Sequence, residues 1–414
     1  METAFGMVRA EYDILSETTI GFAYGRNYST QDNVGVLLSN LRPNGDITVT
    51  PNFGPYHVRG EAADVTLRSR FVTGPVTHQV ALIGNSVRRD DIFFTTPGIA
   101  PSRVENIYRD FLVPRPSIAG LDKFPRVSNS TVFRSVALAD TLSILDERVQ
   151  LILGGRFQNI LADAFNRAGA RTSRYDEDAL TPAIALSLRP WRPLSLYANY
   201  IEQLNQGPVA PANARNAGEV FQPALSRQYE VGAKLDYRSV GAQLAFYQIS
   251  QQSGALGADN VFGPIGQQRN RGAELLVFGE PLPGVRILGG GSLIEGRLTR
   301  TAGGINNGKT APAVPAVQLN TSAEWDPPMV PGGTVFTRVT YTDGSYIDPA
   351  NTVRVPSWTR LDLGGRYTFE LNGKAVTARF DILNVNGIDY YVARAGSVSL
   401  GNPRTFLFSL SSDF

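Results

Sequence analysis

Over most of its length the chain alternates apolar and polar residues with a period of two, the spacing of strands whose two faces meet different surroundings. From Val317 to Asp326, Val317, Leu319, Thr321, Ala323 and Trp325 share one face, and Gln318, Asn320, Ser322, Glu324 and Asp326 the other. Leu361, Leu363, Tyr367 and Phe369 likewise oppose Asp362, Arg366 and Glu370, and Val376, Ala378, Phe380 and Ile382 oppose Arg379 and Asp381. Tyr229, Val231, Ala233, Leu235 and Tyr237 oppose Glu230, Lys234 and Asp236. Charge therefore gathers on one face of successive strands. That face is solvent in a soluble sheet and a wet lumen in a membrane barrel, and the alternation fits both. Length separates the two readings, because these runs extend to about ten residues, the span of a tilted transmembrane strand rather than the roughly five to six of a soluble sheet.

The connections point the same way. Short links rich in turn formers fall at Ser16-Glu17, Thr73-Gly74-Pro75, Asp146-Glu147, Arg189 to Pro193, Arg238-Ser239, Pro281 to Gly284, Pro327 to Gly333 and Asn372-Gly373. Between them the sequence predicts long loops over Tyr28–Gly60, Arg88–Ser128, Asn159–Tyr175, Gln203–Leu225, Gln252–Gln267, Leu298–Val314, Asp343–Ser357 and Val385–Asn402. Strict alternation of short and long links is the asymmetry of an outer-membrane barrel, with tight periplasmic turns and long extracellular loops. The expected fold is all-β, an antiparallel transmembrane barrel wall of about seventeen strands. An odd number cannot close antiparallel, so an odd number of strands is expected upstream.

Composition narrows the class further. Of 414 residues, 42% are hydrophobic and 18% charged, too apolar for disorder and less charged than the roughly 25% of soluble domains. Lys plus Arg (39) nearly balance Asp plus Glu (37), which removes any bulk electrostatic case for nucleic acid. Cysteine is absent, excluding disulfides and thiolate metal sites. No apolar run is long enough for a membrane helix, so a membrane protein of this sequence has to be a barrel. The opening METAFGMVRAEYDIL lacks the features of a signal peptide, leaving two expectations: no export, or a beginning that lies upstream.

Four collinear strings then carry a resemblance. They are SLYANYIEQLNQGPVAPANARNAGEVFQPALSRQYEVGAKLDY from Ser195, QQRNRGAELLVFGEPLPGVRILGGGSL, VPSWTRLDLGGRYTF, and RFDILNVNGIDYYV followed by LGNPRTFLFSLSSDF. In order and spacing they resemble the final strands of TonB-dependent siderophore receptors of the ferrichrome or ferric-hydroxamate type. RFVTGPVTHQVALIGNS and ERVQLILGGRFQ match more loosely. The resemblance implies a barrel of about twenty-two strands around a plugged lumen. Residues 1–414 would then be the C-terminal part of that barrel, with the plug domain and first strands outside the chain. It also implies the bacterial outer membrane as location, a ferric siderophore as ligand, and TonB with ExbB and ExbD as the energising partners, engaged through the plug. On the terminal strand, Phe406, Phe408 and Phe414 resemble the C-terminal aromatic signal read by the barrel-assembly machinery. Outer-membrane lipid is the remaining partner, and nucleic acid is not one.

Catalytic and metal chemistry finds little footing. The two histidines, His57 and His78, have no ligand spacing and read as surface or loop residues. Asp176, Glu177 and Asp178 read as solvated acids, and Gly289–Gly291 as strand glycines, since no helix follows to make a phosphate loop. No nucleophile elbow occurs. The expectation is a protein that is not an enzyme and has no cofactor, with ferric iron carried only inside its siderophore. The resemblance implies a binding cup of aromatic and basic side chains at the mouth, where rings give area at low entropy cost and arginine donates to chelate oxygens. Its candidates here are Tyr56, Phe93, Tyr108, Phe262, Arg269, Tyr346, Tyr390 and Tyr391. Two other readings are a passive porin-like channel, which needs an even-stranded closed barrel without a plug, and the non-functional product of a broken gene.

Overall fold

The computed structural model describes residues 2–412 apart from 41, 107, 110, 124, 125, 212 and 258. The chain divides into two compact units, one of Met1–Asp140 with Gly154–Thr181 and the other of Thr141–Leu153 with Pro182–Phe414. No helix is long and apolar enough to cross a membrane.

In the first unit, β1 (Glu2–Leu15), β2 (Thr18–Ser39), β3 (Asp46–Thr73) and β4 (Val76–Phe93) pair antiparallel in sequence order. Two short pieces follow, β5 (Thr96–Pro97) and β6 (Arg103–Asn106), before β7 (Asn129–Ile144), which pairs with β4. The strands β7, β8 (Val149–Phe165) and β9 (Arg171–Trp191) contribute residues to both units. In the second unit the meander continues through β10 (Leu194–Asn205), β11 (Ala224–Tyr237), β12 (Val240–Leu256), β13 (Phe262–Leu282) and β14 (Val285–Arg300). It goes on through β15 (Val317–Trp325) and β16 (Gly333–Thr342), passes the short pair β17 (Ser345–Tyr346) and β18 (Arg354–Val355), and resumes with β19 (Trp358–Leu371) and β20 (Lys374–Leu383). After the small hairpin β21 (Tyr391–Arg394) and β22 (Ser397–Leu400) it ends with β23 (Thr405–Ser412). Setting aside the six pieces of two to four residues leaves seventeen long strands among the described residues, the number the turn pattern predicts.

The faces sort as the alternation requires. Tyr229, Val231, Leu319, Trp325, Leu363, Tyr367 and Phe380 are exposed. Glu230, Glu324, Arg366, Arg379 and Asp381, on the opposite face, are half-buried. A soluble domain would bury the first set; here the apolar residues are the ones turned outward. The predicted turns hold as well. At Asn372-Gly373 both residues have positive φ, 53° and 74°, the mirror-image turn whose twist matches two antiparallel strands.

Several expected loops are strands instead. Residues 28–60 are mostly hairpin, because β2 and β3 stay in register from Thr18 opposite Ser69 to Ser39 opposite Thr48. Residues 159–175 and 252–267 also shrink, to links of five residues each between β8 and β9 and between β12 and β13. About nine to eleven residues suffice to cross a membrane, so a strand of 22 residues runs on beyond it. There neither face meets lipid, the apolar alternation lapses, and the sequence resembles a loop although the backbone goes on pairing. Beyond the end of β4, the short pieces β5 and β6 take over the pairing along the edge of β3. Val49 and Phe53 are fully buried and Ile47 and Ile92 nearly so, and Gly98 N–H donates to the Pro51 carbonyl at 2.9 Å. His57, expected at the surface or in a loop, is instead a buried residue of β3, with Nε2 2.6 Å from the Lys123 carbonyl oxygen. His78 is also not a free surface group; its Nδ1 lies 2.7 Å from Asp140 Oδ2.

Candidate functional site

The polar face of the first unit brings two of the predicted residues together at the long-loop end of β3 and β4. Tyr56 stands directly opposite Phe93 across the strand pair, ring edge to ring face at 5.9 Å. The period of two puts Arg89, Asp91 and Phe93 on one face of β4. Tyr56 Oη donates to Asp91 Oδ1 at 2.9 Å and accepts from Arg89 Nη2 at 2.9 Å, while Arg89 Nε reaches both Asp91 oxygens at 3.1 Å. The result is an aromatic pair beside an arginine that an acid already orients, a cationic fork suited to oxygen ligands. Arg89 and Asp91 were not among the sequence candidates. The doublet Arg88-Arg89-Asp90-Asp91 at a strand end was the available signal, since its alternate members must share a face. Tyr108 lies apart from this cluster, mostly exposed, with its ring against Gly45.

In the second unit Tyr390 belongs to a separate cluster. It is buried, packs at a tilt on Trp358 with ring centroids 4.4 Å apart, and accepts a hydrogen bond from Arg360 Nη1 at 3.4 Å. Arg360 Nη2 donates to the buried Asp362 at 3.0 Å, and the other Asp362 oxygen receives the Asn384 backbone N–H at 2.9 Å. Tyr390 thus ties the last loop to β19, and Trp358, Arg360 and Asp362, again alternate residues of one strand, complete the group. Its neighbour Tyr391 is exposed on β21.

Phe262 packs on Phe221 at 5.9 Å, and its backbone exchanges two 2.8 Å hydrogen bonds with the Asn216 amide, so it joins two loops. Tyr346 gives its carbonyl to Ala313 N–H at 2.7 Å. Three loops interlock around it: Asn351 exchanges two 2.9 Å bonds with Thr310, Lys309 Nζ donates to Ala350 O at 2.8 Å, and Gly396 N–H donates to Ile347 O at 2.7 Å. Within this fabric Asp348 caps a turn, accepting the backbone N–H groups of Thr352 and Val353 at 2.8–3.0 Å, which holds its carboxyl below the usual carboxylate range. Arg269 shares its face of β13 with Ala273 and Leu275, the apolar side, and points away from the polar face.

Phe406 and Phe408 are exposed on alternate positions of β23 with Leu410, and Phe414 lies outside the described residues. Asp176 bonds Arg174 and Asn159, and as adjacent residues of β9 it, Glu177 and Asp178 point to alternate faces. Among the described residues no group of three His, Asp or Glu side chains is placed to hold a metal ion.

A family model described as TonB dependent receptor-like, beta-barrel, matches residues 4–385. This chain belongs to that family. The ferrichrome receptor FcuA of Yersinia enterocolitica is 36% identical over 430 aligned residues, covering all of this chain and 56% of the relative. The ferrichrome outer membrane transporter/phage receptor of Escherichia coli is 25% identical over 76% of this chain and 42% of its own length. The crystal structure of BauA, the ferric preacinetobactin receptor of Acinetobacter baumannii, superimposes with a TM-score of 0.86 at 32% identity, covering all of this chain and 63% of that one. The chain therefore spans between about two fifths and two thirds of the length of these relatives. For a TonB-dependent receptor barrel in the bacterial outer membrane, the exposed apolar face is the lipid face and the polar face the lumen. The ends bearing long loops are then extracellular, and the Tyr56–Phe93–Arg89 cluster lies on the luminal side of the mouth.

Proposed function

We propose that this chain is the barrel wall and mouth of an outer-membrane receptor that imports a ferric siderophore of the hydroxamate type. The observation that carries this is the 36% identity along the whole chain to a ferrichrome receptor. The luminal group of Tyr56, Phe93 and Arg89 supports it, since rings can cover a compact chelate while the guanidinium donates to its oxygens. Tyr108, Phe262, Arg269, Tyr346, Tyr390 and Tyr391 are secondary, being turned elsewhere or engaged in loop packing. The chain does no covalent chemistry: it is not an enzyme, it holds no resident cofactor, and iron is cargo inside its chelator. Uptake follows binding at the mouth and is energised by TonB with ExbB and ExbD through a plug domain. Assembly into the outer membrane uses the barrel-assembly machinery, which reads the aromatic end of the last strand. Fluorescence quenching against several ferric siderophores, with growth under iron limitation in tonB-positive and tonB-negative cells, tests this. A ferric hydroxamate should bind most tightly and support growth only with TonB. Tight binding of a solute without iron, and none of any ferric hydroxamate, would overturn the substrate.

A further inference from the structure

The luminal cluster at the outer end of β3 and β4 holds an arginine whose charge is already neutralised. Arg89 gives its Nε to both Asp91 oxygens at 3.1 Å, and its Nη2 to Asp91 Oδ1 and to the Tyr56 hydroxyl, each at 2.9 Å. Its Nη1 group makes no hydrogen bond among the described residues. The side chain thus keeps donors for a ligand while its cation sits against an anion. The residues that flank it on the same face add no charge. Across β3, Asn27 of β2 reaches over Gly60, which stands opposite Arg89, and Gln31 stands opposite Tyr56. On the other flank Ser135 donates to Asn85 at 2.7 Å and Ser130 to Asp90 at 2.6 Å, a register that sets Thr131 beside Arg89 and Asn129 beside Asp91. The nearby ion pairs Arg88–Asp90 and Arg26–Glu61 occupy the alternate positions and so belong to the opposite face.

Such a patch offers aromatic area and hydrogen-bond donors without net charge. Ferric chelates differ sharply in this respect. Three hydroxamates cancel the charge of ferric iron and leave an uncharged complex, whereas three catecholates leave a trianion. An isolated Arg89 would favour the trianion; beside Asp91 it does not. We propose that Asp91 is a specificity-determining residue of the mouth, which masks the Arg89 charge and so admits uncharged ferric trihydroxamates while rejecting anionic chelates. This rests on the reading of the chain as a siderophore receptor and adds the residue that sets its charge preference. Asp91 is a positioning residue for Arg89 and, through its own charge, a repulsive element against the wrong ligand, the usual means by which affinities are made to differ. At a partly desolvated mouth that repulsion is several times stronger than in bulk water.

The test is fluorescence quenching of the receptor purified from outer membranes, titrated with ferrichrome as the uncharged chelate and a ferric tris-catecholate as the trianion. The wild type should prefer ferrichrome. Asp91→Asn keeps an oxygen to accept from Arg89 and Tyr56 and removes only the charge. It should raise affinity for the tris-catecholate relative to ferrichrome by about tenfold or more, and the gain should shrink as salt is added. A merely structural role would weaken both chelates together and leave their ratio alone. Gln31→Lys, at an exposed position, adds a cation opposite Tyr56 without touching the Arg89–Asp91 pair. It should move the ratio the same way, and it decides the matter if Asp91→Asn does not fold, as judged by heat-modifiable migration on gels. Ferrichrome binding with a ratio unmoved in the folded variants would overturn the role of Asp91 and leave the receptor reading standing. A wild type that binds no ferric siderophore would overturn that reading and this inference with it.

Discussion

Single side chains at the mouth work through the neighbours that aim them. Asp91 holds Arg89, and the Tyr56 hydroxyl bridges the two, so the guanidinium is set before any ligand arrives. Arg89→Ala should weaken ferric-siderophore binding by about tenfold, the loss of one hydrogen bond to a charged group, as read by fluorescence quenching. Tyr56→Phe should cost less, because the ring remains. Asp348 gives a pH-dependent counterpart. Its carboxyl is held below the ordinary value of 3.8 by the Thr352 and Val353 backbone N–H groups, so its contribution is present above that value and lost as pH falls through the depressed one. Hydrogen exchange of residues 347–353, corrected for intrinsic rates, should stay slow from neutral pH to about 4 and accelerate below. Asp348→Asn should remove that acid step. At this scale Tyr56 and Phe93 were legible only as loop aromatics, and their pairing across β3 and β4 was not. Arg269 was not, because whether an arginine faces lumen or exterior depends on a register that its own few neighbours do not reveal.

Among the elements, the turn end of β14, β15, β16 and β19 is tied by charge. Arg286 donates to Asp326 at 2.6 Å and to Glu324 at 3.2 Å, Arg366 takes the same Glu324 at 2.8 Å, and Thr334 Oγ1 donates to Asp326 at 2.6 Å. Arg286, and then Thr334, hold the Asp326 carboxyl well below the usual range. These groups are partly wet, so the network is worth little per pair, and Glu324→Gln should destabilise the folded barrel by about 1 kcal/mol. Thermal loss of heat-modifiable migration would read this, and a variant as stable as the wild type would show the network to be ornamental. The eight turns were legible because Gly, Pro, Asn, Asp or Ser marks each directly. The outer ends of the strands were not, since past the membrane boundary strand pairing continues without the lipid that writes alternation into the sequence.

For the sheet as a whole, the defining property is an inverted distribution of side chains, with the apolar residues on the exposed face and the polar ones on the other. Cysteines placed at 366 and 379 should react with membrane-impermeant thiol reagents that enter the lumen, while those at 363 and 380 should be protected by lipid; the reverse pattern would overturn the face assignment. A charge on the lipid face is expensive, and Phe246→Arg on β12 should cost up to about 2–4 kcal/mol if it lies near the bilayer midplane, measurable as lower folded yield. The same change at Gln243, on the luminal face, should be tolerated.

The sequence by itself determined class, strand number, turn positions and the lipid-facing set, because each is a local consequence of period two and of residues that permit tight turns. It also determined the family, through strings that stay collinear from Ser195 onward. Only the tertiary structure decided which aromatics meet which arginines. Tyr56 finds Phe93 37 positions away through the register of β3 and β4, and Tyr390, in the loop before β21, finds Trp358 across 32. The fold also buries His57, with its Nε2 against the Lys123 carbonyl oxygen. Backbone pairing carries no side-chain signature of its own, so partnerships that depend on it come into view only once the strands are aligned.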